Sequence, residues 1–226
     1  MRRSSSEVSD ADTNFTDSGE EKPLLLWDWD DTLFCTSHLA RLRVSVAGPS
    51  EVSPALRTEL AELAAAVEQT LELATRLGRV VIVTNAESGW VELTSSTFLP
   101  SVYDKYIQYL PIISARSCFE STECRSPVDW KRLAFNQLIA QAEAPVHVLS
   151  FGDSSHERDA LILRAKELEV AKVKSLKLIE RPDLAALKKQ HVLIQQCLVQ
   201  LVDHQGNLDL CIRSSSGDCL YGASPN

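Results

Sequence analysis

Leu24-Leu25-Leu26-Trp27-Asp28-Trp29-Asp30-Asp31-Thr32-Leu33 is an apolar run that breaks into carboxylates two residues apart and then a Thr. A short apolar run bounded by a polar cluster reads as a buried parallel strand. In open α/β sheets, ligands bind just beyond the carboxyl ends of such strands, and that is where Asp28 is expected. An Asp held there can attack as a nucleophile, and a second carboxylate two positions on can reach the same substrate as general acid and base. Asp31 is then the less critical acid. The plainer alternative, a solvated strand end or helix cap, has to be weighed against the rest of the chain.

Two further apolar strands end in polar clusters of the same kind. Val80-Val81-Ile82-Val83-Thr84-Asn85 ends in Thr, and Asn85 with the residues after it opens a helix whose N-terminus favours anions. Val146-His147-Val148-Leu149-Ser150-Phe151-Gly152-Asp153 ends in an acid. On these residues the chain resembles the haloacid dehalogenase (HAD) superfamily: D-W-D-D-T matches its first motif, D-x-D-x-T, and the other two runs are similar to its second and fourth. The resemblance covers about residues 24–180. It implies that Asp28 forms an aspartyl-phosphate, that Asp30 protonates the leaving group and then activates water, and that Thr84 and Asn85 hold the phosphoryl oxygens. It further implies Mg2+ as the cofactor, with Asp28, Asp30 and Asp153 among its carboxylates.

The family's fourth motif is G-D-x-x-x-D, and here Glu157 stands at the second acid, with an Asp only at Asp159. On a helix opening near Ser154, residues four apart lie about 40° from one another around the axis, while residues six apart diverge. Glu157 is therefore the expected partner of Asp153, its longer side chain suggesting a water-mediated role. The family also places a Lys between the second and fourth motifs to neutralise the carboxylates and the phosphoryl group. Lys131, in Ser126-Pro127-Val128-Asp129-Trp130-Lys131 at the start of a helix, fills that place. Arg132, Arg125 and Lys105 are the substitutes.

Composition agrees with a single catalytic domain. At 226 residues and 44% hydrophobic content the chain can bury a sizeable core. A net charge of -8 argues against a nucleic-acid-binding surface as the main function. The six Cys show neither C-x-x-C pairing nor a His partner at zinc spacing, so reduced thiols in a cytoplasmic protein are expected, nuclear entry remaining open. Residues 1–22, rich in Ser, Asp and Glu, read as a disordered tail rather than a signal peptide. No apolar stretch is long enough for a membrane.

From Leu24 strands and helices alternate, predicting a Rossmann-like three-layer α/β fold with a central parallel sheet. Strands are expected at 24–28, 79–83, 111–114, 146–151 and 172–178. Helices are expected at 54–77, ended by Gly78 as a left-handed cap, at 89–99, 127–142 and 155–169, and from Pro182 to about Asp203. Leu184, Leu187, Ile194, Leu198 and Leu201 form an apolar stripe on the last helix, which His191 interrupts. The domain is bounded at 23–203, and 204–226 reads as a flexible C-terminal tail. Neither gap between motifs holds a large cap domain, so the site is expected to be open, bordered by His38, Arg41, Arg43, Arg116 and Arg125, with His156 exposed.

The function expected from the resemblance is a Mg2+-dependent phosphomonoester hydrolase acting on a phosphorylated protein or other extended substrate, as a monomer or dimer. A phosphatase of small metabolites and a catalytically weak phosphate-binding interaction module are the alternatives.

Overall fold

The computed structural model describes residues 22–46, 52–141, 147–168, 172–214 and 219–223. The expected tail at 1–22 lies, Lys22 apart, outside them. The elements run β1 (Leu24–Trp27), α1 (Thr36–Arg41), α2 (Pro54–Leu77), β2 (Arg79–Thr84), α3 (Trp90–Phe98) and α4 (Pro100–Val102), the last continuing into a π turn at Tyr103–Ile107. There follow β3 (Ile112–Ser114), α5 (Ala115–Phe119), α6 (Pro127–Ala140), β4 (His147–Gly152), α7 (Ser155–Leu168), β5 (Lys172–Lys177), α8 (Leu184–Asp203), β6 (Leu208–Ser214) and β7 (Cys219–Ala223).

The strands form one sheet in the order β3-β2-β1-β4-β5-β6-β7, the first six parallel and β7 antiparallel to β6. This is the Rossmann-like three-layer α/β fold the alternating pattern predicts. Period-two alternation splits β1 between the layers. Leu25, Trp27 and Trp29 join the core under α2, α3 and α8, while Leu24 and Leu26 join the core under α6 and α7. Trp27 stacks on Phe151 of neighbouring β4 with ring centroids 4.1 Å apart. The order reverses between β1 and β4, and a crevice at such a point collects ligands beyond the strand ends.

Three expectations need correction. Gly78 is not a left-handed cap: its backbone is extended, at φ -166°. It is needed because a Cβ there would collide with the Pro23 carbonyl, past which β1 enters the sheet. Second, 204–226 is not simply a loose tail, since β6 and β7 extend the sheet. Leu208, Leu210 and Ile212 alternate with Asp209, Cys211 and Arg213, a half-buried strand pattern hidden between polar breaks. Asp209 accepts from Arg158 Nε of α7 at 2.8 Å, and Asn207 Oδ1 accepts from Val173 N at 2.9 Å. Third, His191 does not interrupt the stripe of α8. It is fully buried within it, with Nδ1 3.0 Å from Thr70 Oγ1 of α2.

No helix among the described residues is long and apolar enough to cross a membrane. Between β1 and β2 those residues supply only α1 and α2, and between β2 and β3 only α3, α4 and the π turn.

Candidate active site

Asp28 follows the last residue of β1, and its amide donates to Phe151 O of β4 at 2.9 Å, which fixes the carboxylate over the switch between the two strands. Its Oδ1 accepts from Lys131 Nζ at 2.6 Å. Lys131, on the first turn of α6, is fully buried. It also donates to the Val83 carbonyl and stands 2.9 Å from Glu157 Oε1. Burial would pull its ammonium down, but Asp28 and Glu157 hold it up at about 12. Burial pushes the Asp28 carboxyl well above the usual carboxylate range, against the pull of Lys131. Glu157 moves the other way: burial raises it, but Lys131 and the Ser154 hydroxyl, which donates at 2.6 Å, leave it lowered.

Asp30 is held by three donors. Trp90 Nε1 reaches Oδ1 at 2.9 Å, the Thr36 hydroxyl also donates to Oδ1, and Thr84 Oγ1 lies 3.4 Å from Oδ2. Thr84 Oγ1 in turn accepts from Ala86 N at 2.9 Å. Asn85 donates to the Pro127 carbonyl at 3.3 Å, tying the end of β2 to the start of α6, while its Oδ1 is buried without a partner. Asp31 takes the Ser37 amide at 2.8 Å, closing the first turn of α1.

Asp153, just past β4, accepts among the described residues a long bond of 3.4 Å from the Arg181 amide, and burial with the nearby Glu157 and Asp31 charges raises its carboxyl to about 7. Asp28, Asp30, Asp31, Asn85, Trp90, Asp153, His156 and Glu157 line a single cavity of about 390 Å³.

The residues singled out in the sequence thus converge: Asp28, Asp30, Thr84, Asn85, Lys131, Asp153 and Glu157 meet at the carboxyl ends of β1, β2 and β4. Asp159 stays outside, paired with Arg158 at 3.0 Å. Two of the substitutes for Lys131 are also elsewhere, with Lys105 on Glu68 and Arg132 on Asp129. His156 is half-buried and lines the cavity rather than lying exposed.

Trp90, Thr36 and Ser154 join the site without having been singled out. Ser154 was legible in the spacing Ser154-Ser155-His156-Glu157, a capping-box signature. Trp90 and Thr36 carried no such signal, because their contacts to Asp30 span 60 and 6 residues.

A hard cation finds only part of a shell here. Among the described residues no three His, Cys, Asp or Glu side chains form a group that holds a metal by itself. Lys131 occupies Asp28 Oδ1, and Lys131 and Ser154 together occupy both oxygens of Glu157. Asp28 Oδ2 and Asp153 remain. That donor set fits an ion such as Mg2+, which takes one or two carboxylates and completes its shell with water and substrate oxygens.

Comparison of the chain with protein-family models, with curated proteins and with solved structures finds no match to any of them.

Proposed function

We propose that the protein is a Mg2+-dependent phosphatase of haloacid dehalogenase type, which hydrolyses phosphomonoesters through an aspartyl-phosphate on Asp28. The observation that carries this reading is the asymmetry of two carboxylates in one cavity. Asp28 is paired with a buried ammonium, whereas Asp30 is held by neutral donors. That is the division of labour between a nucleophile and a proton carrier.

The Asp28 carboxylate, held by Lys131 at Oδ1, attacks phosphorus. The ester oxygen leaves with a proton from Asp30. Trp90 and Thr36 both bind Oδ1 of Asp30, so Oδ2, with only the long Thr84 contact, is the oxygen that carries that proton. Asp30 then takes a proton from the water that attacks the aspartyl-phosphate, which releases inorganic phosphate and restores Asp28. Lys131 stays charged throughout, since its ammonium titrates near 12, and it steadies the negative charge on Asp28 and on the phosphoryl oxygens. Thr84 and Asn85, at the end of β2, supply polar contacts to the phosphoryl group. A bound Mg2+ would add positive charge between Asp28, Asp153 and the phosphoryl oxygens.

The open cavity favours a phosphorylated protein or other extended molecule as substrate, because little of a small ligand would be enclosed and affinity must come from contacts around the mouth. The test is hydrolysis of an aryl phosphate, phosphopeptides and small phosphometabolites by the purified chain with and without Mg2+. Turnover that needs Mg2+, is lost in Asp28→Asn and favours phosphopeptides supports the whole reading. Absence of turnover on all three classes overturns it, and strong preference for one small metabolite by a monomer overturns the extended substrate alone.

A further inference from the structure

We propose that Arg41, Arg181 and His156 form a second anion site on the rim of the cavity, which takes a carboxylate or phosphate carried on the substrate beside the phosphoryl group. This rests on the phosphatase reading and assigns its substrate class: an extended phosphopeptide with an acidic or phosphorylated neighbour.

Three elements bring these groups together. Arg41 leaves the end of α1 and crosses to the segment after β5, its Nη1 3.4 Å from the Arg181 carbonyl and its Nη2 3.1 Å from the Pro182 carbonyl. It lies within electrostatic reach of Asp31, which lines the cavity. The Arg181 amide points to Asp153 Oδ2 at 3.4 Å, so this residue adjoins the cavity through its backbone, and its side chain is exposed. His156 lines the cavity from the first turn of α7 and sits within electrostatic reach of Glu180.

Arg181 shares a left-handed backbone with Asp31 and Arg43 among the described residues. Its φ of 48° is left-handed, a region that suits Gly and that a long side chain rarely adopts. Such outliers cluster where a side chain is held for a purpose. The neighbouring acid Glu180 is already matched by Lys177 at 2.9 Å, and the Arg41 guanidinium is bonded to carbonyls with Asp31 within electrostatic reach.

Charge and distance then fix the ligand. The cavity floor carries Asp28, Asp30, Asp31, Asp153 and Glu157 against Lys131, so a second anion of the substrate is repelled from the floor and settles on the rim. The phosphoryl group sits over Asp28 at β1, and the rim follows β5, two strands away. Strands lie about 4.8 Å apart, so the two anions are about 10 Å from each other, a span of two or three residues in an extended chain at about 3.3 Å each. A compact bisphosphate is too short for this.

The experiment measures kcat/KM for the full chain with Mg2+ on three matched phosphoserine peptides and on an aryl phosphate. The peptides carry Gln, Glu or a second phosphoserine two or three residues from the target. Glu raises kcat/KM over Gln about tenfold, mainly through KM, the worth of one hydrogen bond to a charged group. The second phosphoserine gives at least as much, and its comparison with Glu tells which anion the site prefers. Arg181→Gln and Arg41→Gln bring the Glu-to-Gln ratio towards one, Arg181→Lys keeps part of it, and Arg181→Glu reverses it. Equal turnover of all three peptides, or a ratio unchanged in both Gln variants, overturns the inference while leaving the phosphatase intact. No turnover of any of the four substrates overturns the phosphatase reading and this inference with it.

Discussion

Gly152 and Glu157 compete for one space: a Cβ built on Gly152 would lie 2.5 Å from Glu157 Cγ and 2.7 Å from its Oε2. The absence of a side chain at the end of β4 is therefore what lets the Glu157 carboxylate lie beside Lys131. Gly152→Ala should push Glu157 off Lys131 and Ser154, lowering stability by about 2 kcal/mol and depressing turnover. Glu157→Gln keeps the space filled and should be the milder change. Urea unfolding and aryl phosphate hydrolysis check both, and a Gly152→Ala protein equal to wild type in both would break the link between the two residues.

Asp28→Asn should abolish turnover while the protein stays folded, because an amide does not attack phosphorus. Asp30→Asn should lower kcat by about 10² to 10⁴ with less effect on KM, the range for loss of a positioned general acid. Single-turnover kinetics beside circular dichroism distinguish a chemical defect from an unfolded one.

The acids around Asp153 should rank by their place. Asp153→Ala should raise the Mg2+ requirement steeply and Glu157→Ala less so. Asp159→Ala, whose carboxylate faces Arg158 instead of the cavity, should hardly change it. Activity titrated against Mg2+ reads the order directly, and an Asp159→Ala defect exceeding that of Glu157→Ala would refute it.

Lys131→Met removes the one cation shared by two buried carboxylates. Breaking a buried pair on one side costs about 3–5 kcal/mol, because the remaining charges stay uncompensated. Protonation of Asp28 and Glu157 relieves that cost, so the deficit should shrink as pH falls from 7 to 5. Denaturant midpoints of the two proteins at both values decide it; a deficit that grows in acid would count against the assignment.

His191 should make folding acid-sensitive. Burial lowers its imidazole from an ordinary 6.5 to about 4, so the unfolded chain binds the proton more readily than the folded one. Stability from this residue is present above pH 6.5 and is lost as pH falls from there towards 4, by about 3 kcal/mol in full. The difference in unfolding free energy between wild type and His191→Gln should narrow across that window, and a difference independent of pH would show that His191 is not buried neutral.

The sequence by itself determined the sheet interior and the floor of the site. Parallel strands buried on both faces are written as continuous apolar runs, and the polar residues that end them fall, by chain direction alone, at one edge of the sheet. Asp28, Thr84 and Asp153 are legible for that reason, and Lys131 and Glu157 from their place at helix starts. Tertiary structure decided the rest. That Trp90 holds Asp30, that Arg41 meets the carbonyls after β5, and that His191 belongs to the core all depend on pairs 60, about 140 and 121 residues apart. The strand at Leu208–Ser214 was hidden for a related reason: a half-buried strand shows only alternation, and what makes it a strand is pairing with β5 on one side and β7 on the other. Local pattern records which face of an element is buried, whereas the partner that buries it is set only when the chain closes on itself.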